Sequence, residues 1–233
     1  MKTLLTQIKW QFVLLNKNKL IAISVVVTAL YALLFFLLKD LPNKEAFLTL
    51  LIYNDPAIIG LFFIGLGVIM ENNDNVLPAL FVTPVNYHVY LISRVLALSV
   101  IGLACAAGMA LAILGTQIAW FEFAFGVFGT CVLFSLVGLF VVSYTMDFLG
   151  FLLRSLPFLM LLSLPLLNYF GVTDSFIFQC TPTQGPLNLT ISAFGSTKTS
   201  FPTWLSCVSM LVWIPLVYLF VYRIFVQRVV KSK

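Results

Sequence analysis

One histidine, four cysteines and eight acidic side chains are the groups this sequence offers for metal or acid–base chemistry, and their spacing assembles neither. The acids, Asp55, Glu71 and Glu122 among them, are scattered in or beside loops. No paired carboxylates share an aqueous face, and no Ser/His/Asp set can be drawn. His88, beside Tyr87 and Tyr90, reads as an interfacial side chain, and no CxxC or His-rich spacing suggests a metal. A phosphate-binding GxxxxGK[ST] loop is also missing from the sequence. The residues that do stand out are built for contact. They run from Glu71 to Arg94, ENNDNVLPALFVTPVNYHVYLISR, where Leu77, Leu80 and Phe81 fall at i, i+3, i+4 on one helical face. Asn75 suits an N-cap, Pro78 sits at the third helical position, and Pro84 stops the helix at Thr83. Asn86 then caps the next helix. A two-turn peptide is unstable alone in water, and an apolar face in a polar loop marks a docking surface.

The elements that hold this loop follow from composition. With 61% hydrophobic and 9% charged residues and a mean hydropathy of +1.08, the 233-residue chain reads as an all-α, polytopic membrane protein. Six apolar stretches predict six spans: about Leu20 to Leu38, Leu48 to Met70, Val95 to Ala119, Phe123 to Met146, Phe151 to Phe170 and Trp204 to Phe225. The first is too long for a signal peptide, and no clear cleavage site follows it. Lys2, Lys9, Lys17, Lys19, Arg94, Arg154, Arg223, Arg228, Lys231 and Lys233 fall on one set of loops, against Lys39, Lys44 and Lys198 on the other. Both termini are therefore expected in the cytoplasm. The net charge of +5 then reflects topology and contact with anionic lipid, and no nucleic-acid partner is implied. The chain reads as one transmembrane domain, 1–233, with an interfacial helix at 1–18, a cytoplasmic loop at 71–94 and an extracytoplasmic segment at 171–202.

Several local features carry expectations of their own. Leu5, Ile8, Phe12 and Leu15 line one face of an N-terminal amphipathic helix expected to lie on the inner leaflet, with Trp10 as an anchor. Asn54-Asp55-Pro56 resembles a helix start, which leaves Pro56 to Met70 only ~22 Å long and predicts a broken second span. Asp55 would either cap that helix or face a substrate. Ala104, Gly108 and Ala112, with Gly102 and Ala106 on a neighbouring row, favour close helix packing. A short turn at Trp120 to Glu122 makes the third and fourth spans antiparallel neighbours. Asp147 and Arg154 are expected to form a solvated pair or to contact headgroups. The outer segment is too apolar for disorder and suggests short helices that re-enter the membrane; Asn188-Leu189-Thr190 matches a glycosylation sequon. Cys180 and Cys207 both fall on the outer side, where a disulfide between them and two free thiols are both open. Pro215 is expected to bend the last span.

Glu71, Asn75-Val76-Leu77, Leu80, Thr83-Pro84-Val85, Tyr90-Leu91 and Arg94-Val95-Leu96 resemble the loop of type-2 ATP-binding-cassette exporter permeases. Their pattern runs E, a short gap, G-[TV]-L-x-x-L-x-[VT]-[TS]-P, a spacer, then Y-L-x-x-K-[VL]-L. Asn75 stands where glycine is usual and Arg94 where lysine is usual. The six-span layout, Asn54-Asp55-Pro56 and Pro182-Thr183-Gln184-Gly185 resemble the subgroup of drug or fluoroquinolone export permeases, so the likeness covers nearly the whole chain. The resemblance implies that Glu71, Asn75, Leu77, Leu80, Phe81, Thr83, Pro84 and Arg94 form or support a coupling helix docked on a separate ATPase subunit. Two such ATPases, holding ATP and Mg, would act on two permease chains in the bacterial inner membrane, with no cofactor bound by this chain.

Asn54, Asp55, Gln117, Asn168, Tyr169 and Gln184 are the polar groups hardest to justify facing lipid, and so are candidates to line a substrate pathway. The abundant phenylalanine suits an apolar or amphipathic cargo such as a drug, lipid or peptide. Two other readings remain open: a non-transporting sensor or assembly subunit of such a complex, and a membrane-embedded lipid-modifying enzyme.

Overall fold

The computed structural model describes residues 2–37, 44–77, 86–115, 118–171, 181–195 and 202–230. Ten α-helices, α1 to α10, and two π-helical segments make up nearly all of it, and no strand occurs among the described residues. Six stretches are long and apolar enough to cross a membrane, as expected: Leu20–Leu37, Phe47–Asn73, Tyr87–Ile113, Trp120–Val142, Phe148–Tyr169 and Thr203–Val229. The third begins eight residues before the apolar run at Val95, because Asn86 accepts a hydrogen bond from the His88 N–H at 3.0 Å and starts the helix in polar sequence.

The second span is the main departure from expectation. Helix α3 (Lys44–Ile58) runs straight through Pro56 into a π-helical segment, Ile59–Phe63, and on into α4 (Ile64–Asn73). Pro56 removes one backbone donor from the ladder, and the adjoining π segment takes up the resulting mismatch in register. Tertiary burial outweighs the local cost, since Ile52, Tyr53 and Ala57 are almost fully enclosed. Asn54 and Asp55 therefore lie inside a helix and do not cap one. From Phe47 to Asn73 the path is ~40 Å at helical rise, ample to cross the bilayer.

Helix α6 (Trp120–Val142) is the axis of the bundle, with 15 of its 23 residues buried, against 3 of 18 in α2 (Leu20–Leu37) and 4 of 23 in α10 (Thr203–Phe225). It packs on the π segment at backbone contact. A Cβ on Gly60 would lie 2.6 Å from the Cys131 carbonyl oxygen, and one on Gly138 would strike the Leu61 carbonyl. Helix α5 (Tyr87–Leu114) is its antiparallel neighbour. Helix α5 ends at Leu114, and Trp120 and Glu122, expected in the turn, already belong to α6, where Glu122 meets the positive end of the helix dipole.

Helix α7 (Phe148–Ser163) is capped by Asp147, whose carboxylate accepts from the Gly150 N–H at 3.0 Å. Arg154 donates to the Tyr144 carbonyl and the Thr145 hydroxyl, so Asp147 and Arg154 do not form the expected pair. A short α8 (Pro165–Tyr169) follows. Helix α9 (Gln184–Ala193) is enclosed along nearly its whole length by α6, α10 and α3. Asn188 is 2% exposed, which leaves its sequon out of reach of modification. Helix α10 continues through Pro215 and ends in a second π segment, Val226–Val230.

Helix α1 (Lys2–Lys17) lies against α5, burying Gln11 and Leu15 with Phe12 packed beside them. Leu5 is 65% exposed and lies off this face, as does Trp10. On α5, Gly102 and Ala106 pack inside the bundle, whereas the Ala104, Gly108, Ala112 row faces outward. Cys180, the partner considered for Cys207, lies outside the described residues.

Candidate functional site

The base of the 71–94 loop is closed by a buried ionic cluster. Glu71, in the last turn of α4, and Arg94, two turns into α5, meet at 2.6 Å between Oε2 and Nη1. Tyr90, one turn before Arg94 on the same face of α5, donates to the same Glu71 oxygen at 2.6 Å and accepts from Arg94 Nη1 at 2.5 Å. All three are buried, Arg94 to 2% exposure and Glu71 to 5%. Gly67, one turn before Glu71, leaves the space in which the guanidinium lies; a Cβ there would strike Nη2. Arg94 is thus neutralised within the chain and is not the headgroup-facing charge that its place in the positive pattern suggested. Removing one partner of such a pair strands the other charge, at a cost of about 3–5 kcal/mol.

The chain leaves this cluster through Asn75, whose φ of 57° is left-handed. Asp74 closes α4 with its N–H on the Met70 carbonyl, and Asn75 follows as the reversing residue. This is a position where glycine is the ordinary choice and asparagine the usual substitute, which accounts for the departure from the permease pattern. It is not the extended conformation of an N-cap, although helix does resume at Val76 and Leu77. Leu77 is 1% exposed, packed inward, and so does not belong to an exposed face. Together with Val76, Glu71 and Tyr90 it borders a cavity of about 300 Å³ whose other wall is Gln7, Trp10, Gln11 and Leu14 of α1. Leu80, Phe81, Thr83 and Pro84 lie outside the described residues.

At the opposite end of the bundle, three of the pathway candidates come together. Asn168, Tyr169 and Gln184 line a cavity of about 300 Å³ with Asn188 and Ile191. Gln184 donates to Asn188 at 3.2 Å, and the Tyr169 and Thr49 hydroxyls lie 3.4 Å apart. The cavity therefore presents amide and phenol groups with no formal charge. Asn54 is partly exposed elsewhere on α3, and Gln117 lies outside the described residues. Asp55 is separate again. It is fully buried against α2, where Oδ2 accepts from the Thr28 hydroxyl at 2.8 Å.

His88 has a role that its position alone did not reveal. Its Nδ1 lies 2.8 Å from the Tyr218 hydroxyl and its ring stacks on Tyr222 at 3.7 Å, joining the start of α5 to α10. Asn188, Thr49 and Thr28 were likewise missed as site residues. Asn188 drew notice only through its sequon, although its i+4 spacing from Gln184 on one helix face was a usable signal.

Two proteins described as fluoroquinolones export permease proteins, from Mycobacterium tuberculosis strains CDC 1551 and H37Rv, are each 31% identical to this chain over 144 residues. Each alignment covers 60% of this chain and 60% of the relative, so the likeness spans less than two thirds of either protein. A family model described as the fluoroquinolones export permease protein family matches residues 2–233. With six membrane-length helices and a match over almost its whole length, the chain is a multi-pass membrane permease belonging to the fluoroquinolones export permease protein family.

Proposed function

We propose that this chain is the permease subunit of an ATP-driven exporter, coupled through the loop Glu71 to Arg94 to a separate nucleotide-binding subunit that holds ATP and Mg. The observation that carries the reading is the Glu71–Tyr90–Arg94 cluster. It ties α4 to α5 where the loop leaves and returns, so a displacement of the loop moves both helices as one body instead of prying them apart. Helix α1, packed on the same helix, would keep that body aligned with the inner leaflet.

In this reading the loop and both termini are cytoplasmic, following the positive-charge pattern. Helix α9 is then a re-entrant element of the outer leaflet, its backbone shielded by α3, α6 and α10 as the hydrocarbon region requires. The cavity of Asn168, Tyr169 and Gln184 lines the outer part of the pathway. Two permease chains and two ATPase subunits make the working complex in the inner membrane, and the cargo is amphipathic or apolar.

The test is co-purification with the co-expressed ATPase, followed by ATP-dependent transport into inverted vesicles. Leu80→Asp should abolish association and transport while leaving the permease folded. Undiminished association would count heavily against coupling through this loop, and association without transport would favour a sensor subunit.

A further inference from the structure

Asp55 is an acid with no counter-charge. Its side chain is 0% exposed, its Oδ1 has no hydrogen-bond partner, and among the described residues no lysine, arginine or histidine nitrogen lies within 4.0 Å. One hydroxyl, from Thr28, is its hydrogen-bond partner among the described residues; the Tyr31 phenol and the Cys131 thiol lie near enough to feel its charge, and neither carries a positive one. A carboxylate so enclosed inside a membrane span is costly unless something supplies a positive charge.

Thr28 also lines a groove. About 340 Å³ in volume, it runs between Val25, Thr28 and Ala32 of α2 and Ala104, Gly108 and Ala112 of α5, and it opens toward the lipid side of the bundle. Apart from Thr28 and the sulfurs of Cys105 and Met109 its walls are alkyl. A Cβ on Gly108 would meet nothing within 4 Å, so the small-residue row is open space. Neither wall can neutralise Asp55. Leu20–Leu37 contains no basic residue, and of the two in Tyr87–Leu114 Arg94 is already held by Glu71, while His88, in the first turn and far from Gly108, is held by Tyr218 and Tyr222. A second copy of this chain docked by the same face would bring α2 and α5 again, and therefore no cation.

We propose that this groove binds a lipophilic ammonium ion, with its apolar body between α2 and α5 and its N–H donated to Asp55 Oδ1 while Thr28 keeps Oδ2. The amine reaches the acid as α2 leans outward, and α2 is one of the two least packed spans. This deepens the permease reading, on which its purpose as a cargo site rests, by naming the charge of the cargo. It is distinct from the uncharged cavity at Asn168 and Gln184.

The test is equilibrium binding to the full chain in lipid nanodiscs, with no ATPase present, using tritiated 1-naphthylmethylammonium and the neutral 1-naphthylmethanol. The ammonium should bind saturably and more tightly than the alcohol. Asp55→Asn should weaken the ammonium about tenfold or more and leave the alcohol unchanged, as expected for loss of a charge-assisted hydrogen bond. Gly108→Leu, which fills the groove without touching Asp55, should weaken both and covers the case in which Asp55→Asn fails to fold. Equal affinity for amine and alcohol, or ammonium binding unchanged in either variant, would overturn the proposal. So would complete copy-to-copy crosslinking of Gly108→Cys together with absence of ammonium binding, since a second chain would then fill the groove. Failure of ATPase association leaves these outcomes untouched, so the two readings fail separately.

Discussion

Glu71 and Asp55 lie on one continuous helical path, both are buried, and they are partnered in opposite ways. Glu71 has a guanidinium and a phenol on a single oxygen, whereas Asp55 has one hydroxyl and an orphaned oxygen. A buried acid with an internal cation ties the structure together, while one without a cation is prepared for something that arrives. The contrast predicts unequal costs of mutation at the two ends of the same span.

The largest effect is expected at the paired end. Arg94→Met alone should cost about 3–5 kcal/mol in the midpoint of detergent-induced unfolding, because Glu71 is left buried and charged. Combining it with Glu71→Leu should restore most of that loss. A double variant as unstable as the single one would show that the cluster acts by shape and not by charge. Next comes Gly67→Ala, whose added methyl meets the guanidinium and should cost about 1–3 kcal/mol by the same measurement. If it costs nothing, Arg94 has room to move and the clamp is loose. Asn75→Ala should cost about 1–2 kcal/mol for placing an ordinary side chain at a φ of 57°, while Asn75→Gly should be tolerated. The smallest change is expected at Asp55→Asn, within about 1 kcal/mol, since the amide still accepts from Thr28 and carries no charge. A cost there as large as that of Arg94→Met would erase the contrast and mean that Asp55 already has a cationic partner.

The spans were legible because apolar runs of membrane length carry a strong signal of their own. Asn86 was legible as a cap because an Asx side chain acts on a backbone N–H two residues away, a purely local interaction. Continuity through Pro56 was not, since the local preference for a helix start at Asn54-Asp55-Pro56 is overridden by how Tyr53 and Ala57 pack. Pairing of Glu71 with Arg94 depends on two helices closing on each other across the loop, and charge counting had assigned the arginine to the interface. The same limit applies to Asp55. Nothing near it in sequence indicates that Thr28, from the preceding span, is what it meets. In the outer segment, apolar content indicated burial but not which helices would surround α9.

His88 has a practical consequence. It is the sole histidine of the chain and lies face to face with Tyr222 at 3.7 Å. In an untagged sample its two carbon-bound ring protons, Hδ2 and Hε1, are therefore the only histidine pair, displaced by the aromatic ring current of its neighbour. Any working stroke that parts α5 from α10 relaxes that displacement, so the molecule carries its own spectroscopic gauge of whether those two helices separate.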